Sequence, residues 1–268
     1  MTNSPLGGLE PGLVRQTLLD AADIAATITL PSFRSALAVD NKEVSGFDPV
    51  TEADRQAELV IRELIGARFP DHAIVGEEWA DKAGSTPFSW IIDPIDGTRA
   101  FITGVPVWGT LIGLTVNGRA VAGLMAQPFT GEVYLSLPGE AGYYRGSEHL
   151  PLRTSAITTL AKAKLTSTSP DLFEITGTTA PWNALRKSVL TTRYGLDCYG
   201  YALMAAGHID LVVEAALKNV DICPLIPLIE NAGGVITTWE GGPAEEGGNC
   251  VAAATPELHA AALQVLRG

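Results

Sequence analysis

Positive charge is what this sequence has least of. Lysine and arginine together number 18 against 30 aspartates and glutamates, a formal net charge of −12 over 268 residues. So acidic a surface repels nucleic acid and anionic membranes, and neither is expected as a partner. It also sets a condition. If this chain handles a phosphorylated molecule, positive charge must come from outside, and divalent cations are its natural source. Cysteine is scarce too. Cys198, Cys223 and Cys250 are odd in number, far apart and outside C-x-x-C spacing. That fits neither a disulfide framework nor a zinc site, and reads as buried thiols in a cytoplasmic protein. His72, His149, His208 and His259 share no metal-ligand spacing and are read as structural or exposed. No basic segment followed by an apolar run opens the chain, so no signal peptide is expected. The uncharged stretch 101–118 is interrupted by Gly104, Pro106, Gly109 and Gly113, which excludes it as a membrane helix.

What is present is an ordinary globular composition, 46% apolar and 18% charged, enough for a sizeable core. Apolar positions at helical spacing (Leu18, Ala21, Ile24, Ala25) predict a helix over 12–28. A second helix is predicted over 51–69, with Thr51 as its cap. Short apolar runs at 73–75 and 90–92 read as strands, followed by a meander at 108–116, 120–126, 132–136 and 142–144. From 151 onward the pattern alternates. Strands are predicted at 164–168, 211–214, 234–238 and 251–254, and helices at 181–188, 198–207, 221–231 and 256–266. Gly234 lies just past the third helix, and Thr255-Pro256 opens the last. The expected architecture is a layered α/β protein. Its meander half, 1–150, and alternating half, 151–268, form one catalytic unit, 1–268, around a cleft.

The chemistry lies in carboxylates placed at strand ends. The segment Trp90-Ile-Ile-Asp93-Pro-Ile-Asp96-Gly-Thr98 puts two acids straight after a buried run. Pro94 is expected to stop a central strand there, and Gly97 permits a tight turn. Two such acids repel and are costly to bury unless a cation lies between them, with the Ile95 carbonyl in reach. Oxygen ligands alone favour magnesium, manganese or calcium over zinc. An ordinary acidic turn is the other reading. Gly76-Glu77-Glu78 repeats the arrangement after 73–75. Asp48-Pro-Val-Thr51-Glu-Ala-Asp54 adds acids at a helix start, where Asp54 could equally complete a capping box with Thr51.

Together with Asp221 and Glu230-Asn-Ala-Gly-Gly234, these segments resemble the inositol monophosphatase family, over nearly the whole chain from about Leu13. The resemblance implies an αβαβα sandwich and Mg²⁺-dependent hydrolysis of a small phosphate monoester, usually by a homodimer. By motif position it implies that Glu77, Asp93 and the Ile95 carbonyl hold one ion, and that Asp93, Asp96 and Asp221 hold a second. A weaker third ion would lie near Glu77. It further implies that Asp54 and Thr98, with Glu77, orient the attacking water, and that Gly97 and Thr98 present backbone N–H groups to phosphate. Val220 departs from the family, which usually carries an aromatic residue before the downstream aspartate.

Within that family, 98–112, Asp197-Cys-Tyr-Gly-Tyr201 and Asp210-Leu-Val-Val-Glu214 are similar to histidinol-phosphate phosphatases. Asp197 and Glu214 match substrate-facing positions, and a carboxylate at 197 suits a cationic organic group. The other reading of Asp197 is a cap on the helix after it. Arg99, Arg193 and Lys42 are candidate contacts to substrate or phosphate, and Arg193 is carried as a substrate-binding residue. A broad inositol-1-phosphate phosphatase is the alternative. Trp108 is expected in packing.

Overall fold

The computed structural model describes residues 4–36, 39–41 and 49–268. Lys42 and Asp48 fall outside them. Helices and sheets alternate in five layers, αβαβα, as expected. Helices Pro11–Ser32 and Glu52–Arg68 form the first. Their buried stripes include Val14, Leu18, Ala21, Ala57, Ile61 and Ile65, spaced three or four apart as one helical face requires. Thr51 and Asp54 form the expected box. The Thr51 backbone N–H donates to Asp54 Oδ2 at 2.9 Å, and the Thr51 hydroxyl donates to the same oxygen.

Beneath these helices lies a seven-stranded sheet whose strands neighbour one another in chain order. Ala73–Gly76 pairs parallel with Phe88–Asp96. The rest is an antiparallel meander through Gly109–Val116, Arg119–Gln127, Glu132–Leu137, Glu140–Arg145 and Glu148–Pro151. Period-two alternation sorts the side chains. Trp90 and Ile92 face the two helices, while Ile91 faces the middle of the molecule.

The middle layer holds helix Asp197–Ala205 and a broken helical stretch over 219–231. One helix was expected over 221–231. Instead Asn219–Ile222 gives way to a 3₁₀ turn, Cys223–Leu225, before Ile226–Asn231 resumes. Pro224 and Pro227 lack the N–H that a continuous helix needs, which explains the break. This stretch lies almost against the sheet backbone. A Cβ at Gly123 would stand 1.9 Å from the Pro224 carbonyl oxygen, so only glycine fits there.

The second sheet runs Thr191–Tyr194, Lys164–Ser167, Leu211–Leu217, Gly248–Ala253, Val235–Thr238. Its first three strands are parallel and the last two pairings antiparallel. Val212 joins the middle core, and Leu211, Val213 and Ala215 join the outer one. There they meet Phe173, Trp182 and Leu258 from helices Asp171–Ile175, Thr179–Ser188 and Pro256–Arg267. Thr255 caps the last of these by accepting the Leu258 N–H at 3.2 Å.

One expectation fails in an informative way. Pro94 does not end its strand, which continues to Asp96 through a register shift between Asp93 and Asp96. In a regular strand, residues three apart point to opposite faces. The bulge removes that alternation and brings both aspartates to one side. The three cysteines are buried and unpaired, and Trp108 is fully buried against Phe33 and Phe101. His72 and His259 are structural, bonded to Trp90 Nε1–H and the Thr237 hydroxyl respectively. Among the described residues no helix is long and apolar enough to cross a membrane.

Candidate active site

The two sheets end around a cleft of about 210 Å³. Its floor carries Asp93, Asp96 and Asp221, from the bulged strand and from the helix that leaves the second sheet. One carboxylate oxygen of each lies within 4.8 Å of the others, which is how three ligands of one metal ion are disposed. Burial pushes the Asp93 carboxyl well above the usual carboxylate range, and the negative charges of Glu77, Asp96, Asp221 and Asp54 push it further. Asp96 is raised in the same direction by burial, Asp221 and Asp197, while the Cys198 N–H opposes this. A divalent cation cancels both penalties at once, so the donor set fits a magnesium-like ion.

Local structure fixes each donor. The Ile95 N–H donates to Asp93 Oδ1 at 3.1 Å, and the Ile95 carbonyl accepts the Thr98 hydroxyl at 3.1 Å. The Thr98 hydroxyl also lies 3.5 Å from Asp54 Oδ1. Asp221 Oδ2 accepts the Lys218 N–H at 2.7 Å at the start of its own helix. Glu77 lines the same cleft but stands outside the tight trio, and its Oε1 lies 3.0 Å from Lys218 Nζ. Gly97 has φ +79, and a Cβ there would stand 3.1 Å from Asp197 Cβ. The turn before helix Thr98–Ile102 therefore needs glycine on both counts.

The opposite wall is built from the second sheet. Asp197, at φ +47, is the first residue of helix Asp197–Ala205, whose N-cap position is Leu196. The capping reading of Asp197 is thereby corrected. That helix is capped across the cleft, because the Cys198 N–H donates to Asp96 Oδ2 at 2.8 Å. Released from capping, Asp197 lines the cleft, and burial raises its carboxyl to about 6 against the opposing pull of Arg99. Glu214, buried on Leu211–Leu217, is pushed up to about 8 by burial. It is partly compensated by the Thr168 N–H at 2.7 Å, the Thr168 hydroxyl at 3.0 Å and the Ser167 hydroxyl at 3.3 Å.

Sequence reasoning thus named residues that the fold does bring together: Glu77, Asp93, Ile95, Asp96, Gly97, Thr98, Asp197, Glu214 and Asp221 all line one cleft. Arg99 lines it as well. Asp54 reaches it through Thr98. Arg193 does not join them. It lies exposed on the edge strand Thr191–Tyr194, where its carbonyl accepts the Thr166 hydroxyl. Val220 is buried in the middle core. Sequence reasoning missed Thr168, Lys218 and Tyr201. Thr168 carries a readable signal, a hydroxyl at the end of a predicted strand. The Tyr201 hydroxyl is buried in the cleft wall without a hydrogen-bond partner among the described residues.

A trio of carboxylates at the facing ends of two stacked sheets defines a metal-assisted hydrolase of the αβαβα class. The inositol monophosphatase family model matches residues 12–268. The chain is 38% identical over 256 residues to the bifunctional phosphatase IMPL2, chloroplastic, of Arabidopsis thaliana, covering 91% of this chain and 72% of that protein. It is 37% identical over 227 residues to a histidinol-phosphatase of Chlorobaculum parvum, covering 84% and 86%. Its structure superposes on an inositol monophosphatase of Zymomonas mobilis with a TM-score of 0.83 at 36% identity, covering 94% and 97% of the two chains. The chain belongs to the inositol monophosphatase family, whose members are metal-dependent phosphatases, typically using Mg²⁺.

Proposed function

We propose that this phosphatase hydrolyses histidinol phosphate, a small phosphorylated metabolite, to histidinol and phosphate. The observation that carries the reading is the wall opposite the metal trio. Asp197, half-buried, and Glu214, buried, are two carboxylates facing the cleft, both held above their ordinary range by burial, Asp197 against the pull of Arg99. A neutral polyol gains little from such a wall. An ammonium or imidazolium group entering it returns both acids to their charged forms and forms charge-assisted hydrogen bonds. Relatives named histidinol-phosphatase at 31–37% identity support the same substrate.

In this reading Glu77, Asp93 and the Ile95 carbonyl would hold one magnesium ion, Asp93, Asp96 and Asp221 a second, and Glu77 would also reach a weaker third. Magnesium held by these residues would activate a water and stabilise the departing alkoxide. The chain's own residues do the positioning. Thr98 is held by the Ile95 carbonyl and faces Asp54, so the two side chains can together orient a water molecule in the cleft. The backbone N–H groups of Gly97 and Thr98 stand at the start of a helical turn, facing where phosphate oxygens would sit. Asp197 and Glu214 grip the leaving group. The ions supply the positive charge that the composition lacks.

The test is phosphate release from histidinol phosphate, inositol 1-phosphate, fructose bisphosphate and phosphoadenosine phosphate at matched concentrations. Histidinol phosphate is expected to give the highest kcat/KM. A preference for inositol 1-phosphate would leave the family assignment standing and replace the substrate. That alternative is favoured by the Zymomonas mobilis structure, named for inositol phosphate hydrolysis at comparable identity.

A further inference from the structure

Nothing in the sequence marks Lys218, yet it touches both sides of the metal cluster. Its ammonium lies 3.0 Å from Glu77 Oε1, and its backbone N–H donates to Asp221 Oδ2 at 2.7 Å. Glu77 follows a strand of the first sheet. Asp221 lies on the helix that follows a strand of the second. One residue therefore ties together acids delivered by two separate sheets.

The backbone is bent to put it there. Ala216 adopts φ +59, a left-handed conformation that costs a residue with a Cβ roughly 1 kcal/mol or more. The pairing of Leu211–Leu217 with Gly248–Ala253 shifts register between Glu214 and Leu217. Gly247, at φ +78, lacks the Cβ that would otherwise stand 2.3 Å from the Leu217 carbonyl oxygen. A bulge, a strained alanine and a close-packed glycine thus converge on the two residues before Lys218. Such features are retained where they aim a side chain.

We infer that Lys218 is a resident cation of the metal site, holding Glu77 when no divalent ion does and competing with that ion for the carboxylate. This rests on the proposed reading of Glu77 as a metal ligand. Glu77 shares one cleft with Asp93, Asp96 and Asp221, and like charges so placed repel one another. An ammonium against Glu77 relieves some of that repulsion in the metal-free protein. Magnesium brings twice the charge to the same acids and must displace or weaken the pair. Lysine suits the task, being a compact charge on a flexible stem that can swing aside. The pair is partly open to water, with 54% of the lysine side chain exposed, so its hold is modest and reversible.

The test measures magnesium binding without turnover. Isothermal titration with Mg²⁺ would be run on wild type, Lys218→Met and Lys218→Arg, with thermal melts in EDTA. Removing the competing charge is expected to tighten Mg²⁺ binding about two- to fivefold, the scale of one exposed ion pair. Lys218→Met should also melt lower than wild type in EDTA, and Lys218→Arg should stay near wild type in both measurements. Mg²⁺ binding by folded Lys218→Met that is unchanged or weaker overturns the inference. Should the methionine variant fail to fold, Lys218→Gln is titrated in its place. Glu77→Gln separates the layers. If it leaves Mg²⁺ affinity intact, Glu77 is no ligand and the underlying reading falls. If it weakens binding while Lys218→Met changes nothing, only the competition is excluded.

Discussion

Asp96 accepts the backbone N–H of Cys198 at 2.8 Å, so a member of the metal trio also caps the helix on the far side of the cleft. The bond joins the two halves at the point where the substrate would lie. It also explains why Asp197, the neighbouring residue, is left to face the cleft. Capping and metal binding make different demands on Asp96, because a cap needs only an acceptor oxygen while a metal needs charge.

That difference makes the two roles separable. Asp96→Asn keeps an acceptor and should melt no lower than wild type in EDTA, since it also relieves repulsion with Asp221. Its turnover should fall by about a hundredfold or more. Asp96→Ala should lose turnover equally and melt about 2–4 °C below Asp96→Asn, from a cap worth about 1 kcal/mol. Differential scanning calorimetry on the two variants decides the matter, and equal melting temperatures would remove the capping role.

Metal removal should abolish hydrolysis, because no cluster of protein cations among the described residues can replace the ions. Magnesium should also stabilise the fold by filling a partly buried, mutually repelling trio. At about a hundred times its dissociation constant it should add about 2.7 kcal/mol. Melts with and without EDTA read the shift directly. Full activity in rigorously chelated buffer would exclude the mechanism.

The raised carboxyl of Asp197 predicts how binding follows pH. The folded state holds this proton up to about pH 6, against an ordinary value of 3.8. Stability from this group is therefore complete below about pH 4 and is lost as pH rises through 6. Binding of an amine-bearing ligand runs the other way, because it needs the charged form. Affinity for histidinol should rise about tenfold between pH 5 and pH 7.5. Asp197→Asn should flatten that rise and increase KM for histidinol phosphate about ten- to a hundredfold, while turnover falls less. Calorimetric titration of histidinol at several pH values, on both proteins, gives the comparison. An identical pH profile in Asp197→Asn would assign the dependence elsewhere.

Gly123 predicts a loss with no chemistry in it. Its added methyl in Gly123→Ala would meet the Pro224 carbonyl oxygen at 1.9 Å. Either the sheet or the segment 219–231 must move, and that segment carries Asp221. Destabilisation of about 2–3 kcal/mol is expected, the range of overpacked cores, together with weaker Mg²⁺ binding. Chemical denaturation measures the first and calorimetry the second. Normal stability in Gly123→Ala would show that the close approach is easily relaxed.

Much of the site was legible because its chemistry is written in short, local strings. Asp93-Pro-Ile-Asp-Gly-Thr98 holds two trio acids, the Ile95 carbonyl and the left-handed glycine in six residues. Long elements were legible for a related reason: the stripes of Pro11–Ser32 and Glu52–Arg68 repeat over several turns. Short ones were not. Thr98–Ile102 and Asp171–Ile175 span five residues each, too few for a period to appear. The edge strands Glu148–Pro151 and Thr191–Tyr194 are largely exposed and lack the alternation of a half-buried strand.

The sequence alone determined the fold class, since patterning and local turn chemistry are properties of neighbouring residues, and its short acidic strings carried the resemblance that pointed to the family and to the set of acids. Tertiary structure decided which acids meet. Asp93 and Asp96 share a side only because the bulge after Asp93 cancels the strand's alternation. Asp96 caps a helix a hundred residues away, and Lys218 reaches Glu77 across two sheets. Arg193, plausible in sequence, was carried to an outer edge by the strand it sits on. Contacts between distant segments depend on how whole layers stack, and no local pattern encodes that.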